Sequence, residues 1–127
     1  MLDADTASYA LRGQGQVGAR LLQHQPSEFC ISAITLAELS FGAEVRRSQK
    51  IRRAIRSFTK DVAVVPFDEV SAERFGVVAA GLSTRGQPIG LYDTLVAAQA
   101  LALGLTLVTN NTRHFSRVPG LAVENWA

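Results

Sequence analysis

The sequence contains one cysteine, Cys30, so no internal disulfide can form. It has no apolar run long enough to span a membrane, because Asp93, Gln99 and glycines interrupt the most hydrophobic stretch. It also lacks an opening basic segment followed by an apolar one, so no signal peptide is predicted. These absences disfavour a disulfide-stabilised secreted domain or a membrane protein, and they favour a soluble protein of a reducing cytoplasm.

Negative charge is missing from one basic stretch. No Asp or Glu lies between residues 46 and 60, whereas seven of the thirteen Lys and Arg residues do. Such a stretch is usually the solvated face of a helix. It can also be an electrostatic surface for a polyanion, and Arg52 and Arg56 are then the candidate polyanion-binding residues. Both interpretations stay open at this point.

Buried strands alternate with helices along the chain. The 127 residues, with 47% hydrophobic and 19% charged, are enough for one domain with a real core and too few for two. Apolar runs predict strands at "EFCIS", "VAVVP", "LTLVT" and the edge segment "LAVENW", with a minimal first strand at Met1 and Leu2. Amphipathic segments between them predict helices. This order is typical of an α/β domain, spanning residues 1–127, whose parallel sheet has helices on both faces.

Acidic and amide side chains follow the predicted strands. Ligands of such sheets sit beyond the carboxyl ends of the strands. Asp3 and Asp5 follow the first strand, Asn110 and Asn111 follow "LTLVT", and two further acids, Glu38 and Asp93, lie in flanking helices. No Lys or Arg close in sequence neutralises the acids. Carboxylates gathered without a cation repel one another, and their oxygen atoms suit Mg²⁺ or Mn²⁺ better than zinc.

Each acid also has a structural interpretation. Asp93 is the only charged residue between Ile89 and Val108, and it could cap the helix that it opens. Glu38 could complete a capping box with Thr35. Ser32 is an equally good cap, and it would place Glu38 inside an apolar helix, where an unpaired charge is costly. Asp3 and Asp5 could be turn residues.

Four blocks of sequence carry a family resemblance. In order and spacing, "MLDADTASYAL", "ISAITLAELSFGAE", "RGQPIGLYDTLVAAQA" and "LVTNNTRHFSRVPGLAVENW" resemble the PIN-domain ribonucleases, and more narrowly the VapC toxins of bacterial toxin–antitoxin pairs. The resemblance spans nearly the whole chain. It implies a Rossmann-like three-layer α/β/α sandwich around a parallel sheet of four to five strands, and an acidic pocket that holds Mg²⁺ or Mn²⁺ and cleaves RNA.

Residue by residue, the resemblance assigns the site. The family acids match Asp3 in "LD", Glu38 in "LAEL" and Asp93 in "YD". The implied roles are catalytic and metal-binding: Asp3 as the main direct ligand, Asp93 binding directly or through water, and Glu38 ligating the ion or orienting a water. Thr109 matches the small hydroxyl after the fourth strand, and Asn111 the polar residue near it.

Two positions depart from the family pattern. Many relatives have Asn where this chain has Asp5, which adds charge. Many also place a fourth acid just before a Phe in the last loop, where this chain has His114. Asp5, Thr109, Asn111 and His114 are therefore the candidate accessory residues, and Asn111 or a water could take the place of the fourth acid.

Two other functions compete with the ribonuclease. "LDADT" also resembles the start of haloacid-dehalogenase-type phosphatases, but those need Thr or Val at the position of Ala7, a downstream Lys and a late acidic pair. The two lysines, Lys50 and Lys60, lie in the basic stretch, and the late loop carries Asn110 and Asn111. The second alternative is a catalytically degenerate PIN module that binds RNA or an antitoxin without cleavage.

The resemblance also implies partners. A VapC-type toxin is expected to be a homodimer that assembles with a cognate VapB-like antitoxin, whose C-terminal segment covers the pocket. The expected substrate is RNA, and no membrane partner is expected.

Overall fold

A computed structural model describes residues 1–13 and 16–126. The predicted break between the first two helices falls partly on residues 14 and 15, outside the described part of the chain. The strands are β1 (Cys30–Ser32), β2 (Ala63–Val65), β3 (Leu107–Val108) and β4 (Val123–Glu124). The helices are α1 (Ala4–Arg12), α2 (Val17–Leu22), α3 (Ala33–Arg46), α4 (Gln49–Asp61), α5 (Glu69–Thr84), α6 (Leu91–Leu103) and α7 (Thr112–Phe115), with a 3₁₀ turn at Pro26–Glu28.

Leu2 joins the strands into one parallel sheet. β1 pairs with β2, and β3 pairs with β4. Leu2 lies between the two pairs, bridging in parallel to Ile31 on one side and to Val108 on the other. The spatial order is therefore β2, β1, Leu2, β3, β4. The predicted minimal first strand is reduced to this one fully buried residue at the centre of the sheet.

Alternation along the strands separates two apolar cores. Successive strand residues point to opposite faces, and here they fall into different clusters: Met1, Cys30, Val65 and Leu107 on one face, and Leu2, Ile31, Val64 and Val108 on the other. Side chains of α5, α6 and α7 complete the first cluster, and side chains of α1, α2 and α4 the second. α3 contributes side chains to both clusters. Because helices pack on both faces of the sheet, the architecture is the expected α/β/α sandwich.

The helix starts decide two of the competing interpretations. Ser32 caps α3, its hydroxyl accepting from the Ile34 backbone N–H at 3.0 Å. The capping box with Thr35 is therefore wrong, and Glu38 lies well inside the helix. The N-cap of α6 is Gly90, without a side-chain cap, and Asp93 lies in the first turn. The interpretation of Asp93 as a helix cap is wrong too, so its carboxylate is free for another role.

Other helix boundaries follow the sequence signals. Asp68 caps α5 as predicted, accepting from the Ser71 N–H at 2.9 Å. α6 ends at Gly104, whose φ of 66° is the left-handed conformation that glycine adopts without strain. Across the described residues, no helix combines the length and hydrophobicity needed to cross a membrane.

Candidate active site

Asp3 is held rigidly at the carboxyl edge of the sheet. It follows Leu2 directly, and its residue is only 5% exposed. One carboxylate oxygen accepts from the Thr6 N–H at 2.9 Å and so caps α1. The other accepts from the hydroxyl of buried Thr109 at 2.5 Å. Burial raises the pKa of Asp3, and these hydrogen bonds from Thr109 and Thr6 oppose the rise. Asp3 is therefore the N-cap of α1 and not simply a turn residue. Its carboxylate oxygens keep lone pairs for a ligand.

Thr109 links Asp3 to the loop after β3. Besides donating to Asp3, its hydroxyl accepts from the Asn111 N–H at 2.9 Å. The fully buried Thr109 side chain therefore fixes the Asp3 carboxylate and the start of the following loop together.

Glu38 is the acid with the most strongly shifted pKa. It lies on α3, which begins directly after β1, and its side chain is half-buried. In the described chain its carboxylate has no hydrogen-bond or ion-pair partner. Burial raises the pKa of Glu38 to about 7, and the negative charges of Asp93, Asp3 and Asp5 add to the rise. A proton or a cation would therefore bind this carboxylate readily near neutral pH.

Asp93 reaches the same edge from α6. Burial raises its pKa, the charges of Asp3 and Asp5 raise it further, and His114 opposes them. The Nε2 atom of His114 lies 3.5 Å from the Asp93 carboxylate. Within residues 1–13 and 16–126, neither Lys nor Arg forms an ion pair with any of the acids Asp3, Asp5, Glu38 and Asp93.

The acids act on one another through their charges but do not form a closed metal-binding cluster. Each of Asp3, Glu38 and Asp93 feels the charge of at least one other acid of this edge. In the described chain, however, no three His, Cys, Asp or Glu side chains approach closely enough to hold an ion between them. The carboxylate-only donor set fits Mg²⁺ or Mn²⁺ in its chemistry. An ion held by all three acids would require their carboxylates to come closer together.

The chain belongs to a known family. The family model described as "PIN domain" matches residues 1–121. This chain is a PIN domain. It is 35% identical to the "tRNA(fMet)-specific endonuclease VapC" of Salmonella typhimurium, over 99% of this chain and 96% of that protein. It is also 35% identical to "Ribonuclease VapC2" of Haemophilus influenzae, with the same coverage. Within the PIN domains it therefore belongs with the VapC proteins.

Solved structures agree with this assignment. The structure of DNA-bound VapBC from Salmonella typhimurium matches with a TM-score of 0.90 at 35% identity, covering 100% of this chain and 97% of that chain. VapBC2 from Rickettsia felis, bound to a DNA fragment from its promoter, matches with a TM-score of 0.89 at 30% identity, covering 100% and 98%. The three-layer fold expected from the sequence is thereby confirmed.

The candidate accessory residues Asp5, Asn111 and His114 differ in how they interact with the surroundings of the acids. Asp5 is exposed in the first turn of α1, and its charge reaches all three acids. Asn111 is exposed at the start of α7, and its backbone N–H bonds to Thr109. His114, on α7, is directed at Asp93 and at the carbonyl oxygen of Ile89, 2.6 Å from its Nε2.

A groove beside the PIN-domain acids was not anticipated from the sequence. It encloses about 530 Å³ between α1, α3 and α4. Asp5 and Glu38 line it together with cationic residues from three segments, Arg12, Arg46 and Lys50. Arg12 lies two turns after Asp5 along α1, a spacing that would have indicated a shared helix face. The groove thus places positive charge next to the acidic site.

The two candidate RNA-binding arginines differ in their surroundings. Arg52 forms a bidentate ion pair with Glu44, with both N···O distances at 2.9 Å, which ties α4 to α3. Arg56 is exposed and forms no ion pair among the described residues. The structure therefore gives Arg52 a partner within the fold and leaves Arg56 available to solvent.

Proposed function

We propose that this PIN domain is a divalent-metal-dependent endoribonuclease and the toxin of a VapBC-type pair. The observation that carries the proposal is the convergence of Asp3, Glu38 and Asp93 at one sheet edge without a lysine or arginine ion pair. The relatives at 35% identity over nearly the full chain are named as nucleases, which supports the same class of reaction.

The three acids would have different roles at this edge of the sheet. Asp3 and Asp93 would hold a Mg²⁺ or Mn²⁺ ion, with Glu38 as a further ligand or as the group that orients the attacking water. When bound, such an ion lowers the pKa of water and neutralises charge on the phosphate oxygens. Asp3 is pre-oriented by Thr6 and Thr109. Because the pKa of Glu38 is about 7, its carboxylate is suited to accept a proton from the water.

Structured RNA is the proposed substrate. The Salmonella relative is named for the initiator tRNA, and this chain aligns with 96% of that protein. We therefore propose initiator tRNA as the first substrate to test. The cationic residues Arg12, Arg46 and Lys50 lie in the groove next to the acids, where they would contact phosphates of a bound strand.

A VapB-like antitoxin is the proposed protein partner. The two structural neighbours described above are complexes of a VapC with its VapB. We propose that the toxin is a homodimer when it assembles with the antitoxin.

The activity can be tested directly. Purified free of antitoxin, the protein should cleave tRNA when Mg²⁺ or Mn²⁺ is supplied and should stop when EDTA is added. Excess Mg²⁺ after EDTA should restore cleavage, which distinguishes metal removal from damage to the protein. Cleavage that continues in EDTA would contradict the metal dependence. RNA binding without cleavage under all conditions would favour the degenerate module, an alternative that the replacement of a family acid by His114 supports.

Arg56 should contribute to RNA affinity more than Arg52 does. An exposed cation that contacts a phosphate releases a counterion, so Arg56→Ala should weaken binding of non-cleaved RNA and lower the salt slope by about 1. Arg52→Ala is the matched comparison, because Arg52 is already paired with Glu44. It should cost fold stability and change the salt slope little. Filter binding at several salt concentrations measures both. If both variants keep the salt slope of the parent, α4 is a solvated face and does not contact RNA.

A further inference from the structure

Side chains contact the last three backbone carbonyls of the loop that precedes α6. Three consecutive backbone carbonyls, those of residues 88–90, each contact one side-chain nitrogen or hydroxyl. Arg117 donates to Pro88 O at 3.2 Å, His114 Nε2 lies 2.6 Å from Ile89 O, and Thr94 donates to Gly90 O at 2.5 Å. α6 has no side-chain N-cap, so these contacts hold the segment that leads into its first turn, and Asp93 is in that turn.

The contact with Ile89 fixes the protonation of one ring nitrogen of His114. A carbonyl oxygen only accepts hydrogen bonds, so at 2.6 Å the Nε2 atom must carry a hydrogen and donate it. The lone pair of that nitrogen is then not available to a metal ion. The same Nε2 lies 3.5 Å from the Asp93 carboxylate.

His114 is not needed to anchor its own helix. The neighbouring Phe115 is 1% exposed and packs in the first core cluster, so it fixes α7 on the sheet. The His114 ring lies edge-on to Phe115, with centroids 5.9 Å apart, and remains partly exposed. Its polar contacts are both directed at the segment that carries Asp93.

We propose that His114 is a positioning residue for Asp93 and not a replacement metal ligand. It ties the loop at Ile89 to α7 through its one Nε2–H, and its ring lies 3.5 Å from the Asp93 carboxylate, which limits how far that carboxylate can turn away from the site. The inference rests on the proposed function, because it assumes that Asp93 binds a metal ion.

Two substitutions separate orientation from ligation. The amide nitrogen of Gln can reach the place of Nε2 and donate to Ile89 O, whereas Met fills similar volume without a donor. Removal of an orienting partner typically lowers metal affinity or activity by roughly 10- to 100-fold. We expect His114→Met to lose about that much in Mn²⁺ affinity, measured by calorimetry without RNA, and His114→Gln to stay within about threefold of the parent. Amide hydrogen exchange at residues 90–94 should be faster in the Met variant only.

The ring itself provides a readout that does not depend on activity. In ¹⁵N spectra of the metal-free protein at about pH 8.5, where an unperturbed imidazole is neutral, Nε2 should be the protonated nitrogen and should remain so with Mg²⁺. An unprotonated Nε2, or a Gln variant as impaired in Mn²⁺ binding as the Met variant, would overturn the proposal. A parent that neither binds Mn²⁺ nor cleaves RNA would refute the proposed function instead. The ring protonation and the exchange at residues 90–94 would still decide whether His114 positions Asp93.

Discussion

Replacing Asp93 by Asn should lower the rate of RNA cleavage by at least about a hundredfold, because loss of a metal ligand should cost at least as much as loss of a residue that orients one. Asn preserves the size of the side chain and removes its charge. The N-cap of α6 is Gly90, so the change takes no capping hydrogen bond from the helix. Asp93 also raises the pKa of Glu38 through its charge. We therefore expect lost activity in a protein that folds as well as the parent, measured by tRNA cleavage and by circular dichroism.

Asp68 offers a matched control for Asp93. It is an exposed acid that caps α5 through the Ser71 N–H, and its charge is not among those that shift the pKa values of Asp3, Glu38 and Asp93. Asn caps helices about as well as Asp, so Asp68→Asn should keep both stability and full cleavage. If Asp93→Asn cleaves RNA as fast as the parent and Asp68→Asn, then Asp93 has no role in the reaction, and the assignment of this acid fails.

The parallel sheet and its acidic edge could be predicted because both follow from local patterns. Apolar runs separated by amphipathic helices indicate parallel strands, and the carboxyl ends of those strands meet at one edge. Asp3 and Thr109 follow central strands directly, so their proximity is a consequence of strand order. The hydrogen bond between them joins residues 106 apart in sequence.

Two contacts could not be predicted from the sequence because they depend on how the helices are oriented. No acid lies within the basic stretch, so that stretch alone offers Arg52 no partner. The chain reverses at Arg47, whose φ is 50°, and this turn brings Glu44 beside Arg52 from the preceding helix. The contact of His114 with Ile89 likewise spans 25 residues and depends on how α7 packs against the loop. Contacts of this kind leave no periodic pattern in the sequence from which they could be predicted.

The raised pKa of Glu38 should make the metal-free protein less stable as the pH rises. The folded-state pKa is about 7, against an ordinary value of 4.5. A carboxyl group whose pKa is raised by folding contributes stability that is fully present below about pH 4.5. That contribution is lost as the pH rises through the folded-state pKa. Burial raises the pKa values of Asp3 and Asp93 as well, so their contributions have the same sign.

Glu38→Gln should remove most of this pH dependence. A difference between pKa values of 4.5 and about 7 corresponds to about 3 kcal/mol. Solvent screening of a half-buried side chain reduces the expected effect on the free energy of unfolding to on the order of 1–2 kcal/mol. In EDTA at about pH 8, where the parent's Glu38 is ionised, the Gln variant should therefore be more stable than the parent. At about pH 4.5 the two should converge. Urea unfolding across this range measures the difference.

Adding Mn²⁺ should make the parent more stable than Glu38→Gln, which is the reverse of the order expected in EDTA. A cation that binds only the folded protein stabilises it by about 2.7 kcal/mol at a hundredfold excess over Kd. The parent should gain this in full, whereas Glu38→Gln should gain less because it has lost a carboxylate. Glu44→Gln is the control: Glu44 is an acid of the same helix that pairs with Arg52 outside the site, so its response to Mn²⁺ should equal that of the parent. If the parent shows neither the decline with pH nor a response to millimolar Mn²⁺, then Glu38, Asp3 and Asp93 do not form a cation site, and the degenerate module becomes the better account.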